Sequence, residues 1–281
     1  MSFYISLSGL KAAQADLSTI SNNVANVNST AFKKSQAQFG DIFAAAPMQT
    51  TNQVSGQGVR VQGIQQQFTQ GTLETTDKTL DLAITGEGYF AVKGDDGNVT
   101  YTRNGGFSVD NGRYAVDTTG SRIQVFAVDP DTGAMTTPPS STTTAANLTD
   151  LKIPTTYKDQ AGGAQLTSVG VSKEGLVSAI YADGSTAYLG QVAMASFNSQ
   201  EGLRQEGDAH WSPTVSSGSA IFGTANKGMY GSINSGSLER SNVDITDELV
   251  NLISAQRNFQ ANSKAIEAAN TLTTTIINIR S

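Results

Sequence analysis

Leu10-Lys11-Ala12-Ala13-Gln14-Ala15-Asp16-Leu17-Ser18-Thr19-Ile20-Ser21-Asn22-Asn23-Val24-Ala25-Asn26-Val27 sets Leu10, Ala13, Leu17, Ile20, Val24 and Val27 at steps of three and four residues, the spacing of one apolar helix face. The far end of the chain repeats the pattern. There Ile245, Leu249, Leu252, Phe259, Ile266, Leu272, Ile276 and Ile279 form a second stripe, interrupted at Gln256 and Ser263. A lone amphipathic helix is marginal in water, so these ends must cover each other or be covered by a neighbour.

Between them the sequence reads as short strands and turns. Leu80, Leu82 and Ile84 alternate with Asp81, Ala83 and Thr85, and Gly86-Glu87-Gly88 then turns into Tyr89-Phe90-Ala91-Val92, a strand signal bounded by glycines. Further strands are predicted at 99–102, 107–109, 122–128, 166–171, 176–181 and 188–197, divided by turns such as Gly94-Asp95-Asp96-Gly97-Asn98 and Asp129-Pro130-Asp131-Thr132-Gly133. Turns this frequent imply antiparallel pairing in a sandwich or barrel. The fold class is therefore α+β, with helices at both termini and a mostly antiparallel β middle domain. Residues 32–71 and 207–236 show no sustained period, and 130–165, with its Thr/Pro/Ser run, reads as a surface loop or short insert.

Composition excludes several function classes. A net charge of −6, with no basic cluster beyond Lys33-Lys34, argues against a nucleic-acid partner. The chain has no cysteine and a single histidine, His210, so thiolate chemistry, disulfides and zinc-thiolate sites are out and a transition-metal site has few ligands to draw on. No apolar run is long enough for a membrane span, and no basic segment leads into an apolar core at Met1, so export by a cleaved signal peptide is not expected.

Catalytic candidates are few and each has a plainer explanation. Asp129, Asp131 and Gly133 open like a calcium loop, but no glutamate completes it and Pro130 fits a tight turn. Asp244, Asp247 and Glu248 suit the start of a helix, capping it and complementing its dipole. His210 beside Trp211 has no recognisable nucleophile or orienting partner in the sequence. With no phosphate loop, nucleophile elbow or dinucleotide fingerprint, the chain reads as a non-enzyme without cofactor or metal.

The terminal helices carry the more informative signal. A monomer could fold them into a hairpin on its β domain. Against that, Met1–Asn28 holds only Lys11 and Asp16 as charges, whereas a helix exposed to water usually carries more. Charged residues make up 15% of the whole chain, against the usual quarter or so, and such a surface tolerates close contact with copies of itself.

Ser21-Asn22-Asn23-Val24-Ala25-Asn26-Val27-Asn28-Ser29-Thr30-Ala31-Phe32-Lys33-Lys34 resembles the N-terminal signature of the bacterial flagellar axial proteins, which build rod, hook and hook-associated segments. The run from Leu238 to Asn262, including Ser241-Asn242-Val243 and Gln256-Arg257-Asn258-Phe259-Gln260-Ala261-Asn262, is similar to that family's C-terminal signature. Gly58-Val59-Arg60-Val61, Gln67-Phe68-Thr69-Gln70-Gly71, Leu80–Val92, Tyr101-Thr102-Arg103-Asn104-Gly105 and Leu189–Phe197 extend the likeness to nearly all of the chain outside 130–165. Residues 66–71 and 276–280 are most similar to hook-type members, in a short form with little or no outer inserted domain. In length the chain is closer to distal rod members.

The resemblance implies an inner tube of terminal helices, 1–31 with 240–281, connecting segments at 32–70 and 225–239, and a β-rich outer domain over 71–224. It implies a helical homopolymer that transmits motor torque and is exported through the flagellar type III apparatus. Rod and hook–filament junction proteins and a hook cap would be its partners. Leu10, Leu17, Ile20, Val24, Leu249, Leu252, Phe259, Ile266 and Ile276 are then the expected polymer-packing positions. Gly56, Gly58, Gly228, Gly231 and Gly236 are candidate hinges between layers or, equally, simple turns. A β-rich surface adhesin or fibre is the alternative from another class, and it predicts a secretion signal and a charged coiled coil that the sequence lacks.

Overall fold

A computed structural model describes residues 2–43, 56–136, 138–139, 143–157 and 163–280. The elements in chain order are α1 (Ser2–Ala25), β1 (Ser35–Phe43), β2 (Gly56–Gln66), β3 (Leu73–Thr75), β4 (Leu82–Thr85), β5 (Tyr89–Lys93), β6 (Val99–Thr102), β7 (Ser108–Val109), β8 (Ala115–Val116) and β9 (Arg122–Phe126). They continue as β10 (Thr149–Asp150), β11 (Leu166–Val171), β12 (Leu176–Tyr181), β13 (Thr186–Ser196), β14 (Arg204–Gly207), β15 (His210–Ser212), β16 (Ile221–Thr224), β17 (Ser232–Ser235), β18 (Ser237–Glu239) and α2 (Ile245–Arg280). The chain divides into two compact units. One comprises 1–28, 33–67 and 243–281, the other 29–32 and 68–242.

The first unit is made of α1, α2 and the β1–β2 hairpin. The two terminal helices pack on each other, and the hairpin lies against α1. Residues 32–71 lack a period for a physical reason. β1 and β2 pair antiparallel from Ser35 opposite Gln66 to Phe43 opposite Gly56, but the register slips at Gln38/Phe39 and again at Asp41/Phe43, and each bulge resets the alternation. Glutamines also fill the hairpin's polar face, where Gln38 Nε2 donates to Gln65 Oε1 at 2.9 Å and Gln67 Nε2 to Gln36 Oε1 at 2.7 Å.

The second unit is an antiparallel β domain. Eight strands follow the order β11-β12-β13-β9-β5-β6-β15-β14, with β10, β16, β7 and β8 attached, and two separate ribbons pair β17 with β4 and β18 with β3. β13 is the shared spine, pairing β12, β9, β5 and β16 along its eleven residues. Its neighbour β5 is buried on both faces. Phe90 and Val92 enter one apolar cluster with Ile84, Ile123, Val192 and Met194, while Tyr89 and Ala91 enter another with Ala193, Ala195, Phe197 and Trp211. That is why Tyr89-Phe90-Ala91-Val92 is apolar without alternation. Within 130–165, Leu148, Leu151 and Ile153 are buried in these clusters, while part of the Thr/Pro/Ser run lies outside the described residues. The stretch 207–236, irregular in sequence, supplies β15, β16 and β17 as short strands too brief to show a period.

Candidate assembly surface

The joint between α1 and α2 is built from polar residues that the sequence signatures contain. Asn23 Nδ2 donates to Ser35 O at 2.8 Å and to Glu248 Oε2 at 3.0 Å, and Asn23 Oδ1 accepts the Ser35 N–H at 2.9 Å. One side chain thus ties the last turns of α1 to the start of β1 and to the first turn of α2. Lys34 Nζ lies 2.6 Å from Glu248 Oε1, held by charge attraction rather than by an aligned hydrogen bond. Asp244 caps α2, its Oδ1 accepting the N–H of Thr246 at 2.7 Å, and these backbone bonds hold its carboxyl below the usual carboxylate range. Glu248, expected only to complement the helix dipole, is instead 1% exposed and carries the joint. Its partner Asn23 is 225 residues away in sequence, a distance no local pattern spans.

The other signature residues divide between the units. In the first, Val243 is buried, Asn26 and Asn262 are half-buried, and Ser21, Asn22, Ala25, Gln256 and Arg257 are exposed. In the second, Phe32 and Ser241 are buried, and Asn242 Nδ2 donates to both Thr69 oxygens, at 3.1 and 2.9 Å. That unit is closed by a buried ion pair. Arg103 Nη1 stands 3.5 Å from Glu239 Oε2, Arg103 Nη2 donates to Gly86 O at 2.8 Å, Glu239 Oε1 accepts the Gly71 N–H at 2.9 Å and the Glu239 carbonyl accepts the Ala31 N–H at 2.8 Å.

Of the expected polymer-packing residues, Ile20 is buried, Leu10, Leu17, Val24, Leu252, Phe259 and Ile266 are half-buried, and Leu249 is exposed. The Ile276 side chain lies outside the described residues. A second apolar set faces outward: Phe3, Tyr4 and Ile5 on α1, and Ile245, Val250, Ile253, Leu272 and Ile277 on α2. Sequence periodicity did not single these out, except Leu272 and Ile245, because the stripe it detects includes the seam that the two helices share within one chain. α2 also outruns α1. Gly9 meets the Asn262 side chain, which leaves only the first turns of α1 to cover the helix beyond, and residues 270–275, 277 and 278 are all exposed.

Gly56 and Gly58 belong to the first unit; Gly228, Gly231 and Gly236 to the second. Gly58 has φ +109° inside β2, where a Cβ would strike the Ser8 hydroxyl on α1, so both conformation and space demand glycine. Asp129, Asp131 and Gly133 form a turn, with the Asp131 N–H on Asp129 Oδ1 and the Gly133 N–H on Asp129 O. His210, which showed no partner in sequence, is 5% exposed and sits between Asp117 Oδ2 at 2.7 Å and Asp208 O at 2.9 Å. Both neighbours are acceptors, an arrangement that favours a ring protonated at both nitrogens. Burial pushes its pKa down, but the bond and charge of Asp117 outweigh this and leave it raised.

The chain is 34% identical to the flagellar basal-body rod protein FlgG of Bacillus subtilis over 296 aligned positions, which cover 99% of this chain and 98% of that one. It belongs to the bacterial flagellar rod and hook family. Family models agree at three places: flagella basal body rod protein over residues 3–33, the flagellar hook protein FlgE/F/G D1 domain over 83–179, and the C-terminal part of flagellar basal body rod FlgEFG proteins over 234–279. Among rod and hook relatives, the flagellar hook protein FlgE of Escherichia coli is 28% identical over 415 positions, covering all of both chains. That alignment runs well past 281 residues, so the hook relative carries a long stretch absent here. Rod and hook family members are structural proteins of the flagellum, not enzymes, which sets aside the adhesin alternative. Among the described residues no helix is long and apolar enough to cross a membrane.

Proposed function

We propose that this chain is the subunit of the flagellar hook, polymerising into a flexible tube that passes motor rotation to the filament. The observation that carries self-assembly is the outward apolar set on both terminal helices, with Val250 59% and Ile253 49% exposed on α2. Residues like these in water favour a covered state, and a heterologous contact that does not close on itself generates a tube. The hook assignment is supported by end-to-end alignment with hook proteins and by the likeness at residues 66–71 and 276–280. On this reading residues 1–31 with 240–281 line the tube, 32–70 with 225–239 connect its layers and 71–224 face outward. The chain leaves the cell unfolded through the type III apparatus and meets rod, junction and cap proteins at the ends of the polymer.

A distal rod protein is the second reading, favoured by the near-equal lengths of this chain and the Bacillus subtilis rod relative. Basal bodies isolated from cells lacking this chain decide between them. Complete rods without hooks are the expected result, and rods cut short at the distal end would replace the hook reading with the rod reading. Self-assembly has its own test in purified protein. Full-length chain should form tubes under negative stain, while a chain lacking residues 1–28 should form none; tubes from the truncated chain would overturn the proposal.

A further inference from the structure

The helical unit contains a half-open groove of about 340 Å³ bounded by α1, β1 and the first turns of α2. Asn23 and Asp16 of α1, Lys34 just before β1 and Glu248, Asn251 and Asn258 of α2 all line it. The charges inside do not balance. Lys34 offsets Glu248 at 2.6 Å, and Asn23 serves the second Glu248 oxygen at 3.0 Å. Asp16 has no ion pair or hydrogen bond among the described residues, and burial together with the Glu248 charge holds its carboxyl above the usual carboxylate range. A carboxylate so placed is stabilised by an added cation.

The matching cation is on the outer side of α2. Arg257 is exposed and forms no ion pair among the described residues. At 100° per residue it stands about 110° around the helix from the mean direction of the groove residues 251, 254, 255 and 258, too far round to fill its own groove. It shares a face with Val250 and Ile253, at the spacing i, i+3, i+7, and both are exposed. One face of α2 therefore presents two uncovered apolar side chains and one uncompensated guanidinium. The groove presents an uncompensated carboxylate, with the partly exposed Phe39 beside it.

We propose that the groove receives Arg257 of a second copy of this chain, whose guanidinium pairs with Asp16 while its Val250 and Ile253 cover the apolar rim at Phe39. The pairing rests on the self-assembly reading and adds to it a specific contact, with α2 of one subunit docking on α1 of the next. Asn251 and Asn258 also line the groove, and their amide oxygens can accept guanidinium hydrogens.

Two charge reversals test it. D16R and R257D are purified separately, shown by circular dichroism to fold as the wild type does, and assayed for polymer by sedimentation and negative stain. Each alone should raise the critical concentration at least tenfold. An equimolar mixture should restore tubes, because every D16R groove then meets an aspartate at 257 and every R257D groove keeps Asp16 to receive Arg257. A mixture that stays soluble overturns the pairing, even if the double variant in one chain assembles, since that result marks an internal contact. Either single variant polymerising at the wild-type concentration also overturns it. Wild-type chain that forms no polymer in the same assay overturns self-assembly itself, and the pairing with it.

Discussion

Tyr89, Phe90 and Trp211 of the β unit are sealed within their own chain, at 1% exposure or less, whereas Tyr4, Val250 and Ile253 of the helical unit face outward, at 49% or more. The two units hold apolar side chains of similar size and place them oppositely. A β domain with a core on each face of its sheet is complete as a monomer. A two-helix unit with an outward apolar face is complete only when something covers it. On the self-assembly reading, the difference teaches that stability and assembly are written in separate parts of this chain, so substitutions in one unit should leave the other's property intact.

Breaking the β unit should give the largest effect on folding. Arg103→Met would strand the buried Glu239 carboxylate, and removing one member of a buried pair costs about 3–5 kcal/mol. Chemical denaturation followed by Trp211 fluorescence would measure it. Recovery of much of that loss by the double change R103M/E239M would show the cost to be the stranded charge; its persistence would point to the Gly71 and Gly86 contacts. A smaller loss belongs to the helical unit. Asn23→Ala removes the bonds to Ser35 and Glu248, at about 1–3 kcal/mol for buried polar partners left unmade, visible as early loss of helical ellipticity with the Trp211 signal unmoved.

The charged pair of His210 and Asp117 gives a pH window rather than a fixed loss. His210 is raised by Asp117, so its contribution is full below the ordinary histidine value of 6.5 and disappears as pH climbs through the raised one. Asp117 is pulled up by burial but lowered overall by His210 and Thr119, so its contribution is full above 3.8 and disappears as pH falls through the lowered value. The β unit should therefore melt highest in mildly acidic solution and lose stability on going to alkaline pH, as a falling melting temperature would show. His210→Gln should flatten that alkaline limb. An unchanged limb would mean another group titrates there.

How much of this was legible in the residues follows from range. The helices were readable because positions three and four apart report directly on one face, and the strands at 89–92 and 166–197 because their turns are marked by glycine and aspartate. β1 and β2 escaped because two bulges and a glutamine-filled face erase alternation. The joint escaped for another reason: Asn23 with Glu248, and His210 with Asp117, are pairs that only the folded chain brings together, 225 and 93 residues apart. Periodicity located the apolar stripes but not their division into a seam used within the chain and a face left outside it, because Leu252 and Ile253 differ in exposure and not in chemistry.

That division sets the smallest effect on folding and the sharpest test of the comparison. Ile253→Ser removes an apolar side chain whose surface is already half in water, so the monomer should keep its stability to within about 0.5 kcal/mol. Phe90→Ser, a truncation of comparable kind in the β unit, leaves a cavity and an unpartnered hydroxyl beside Phe107 and should cost at least the 3–5 kcal/mol or so of Phe→Ala. The polymer should answer in the reverse order of sensitivity per unit of stability lost. Ile253→Ser, stable as a monomer, should fail to sediment at concentrations where wild type forms tubes, because on the self-assembly reading proposed above the side chain that contributes little to the isolated fold is buried between copies. A loss above about 2 kcal/mol in the Ile253→Ser monomer would mean that this face is covered within one chain. The opposition between the two units would then be one of degree, and the exposed set on α2 would no longer mark an assembly surface.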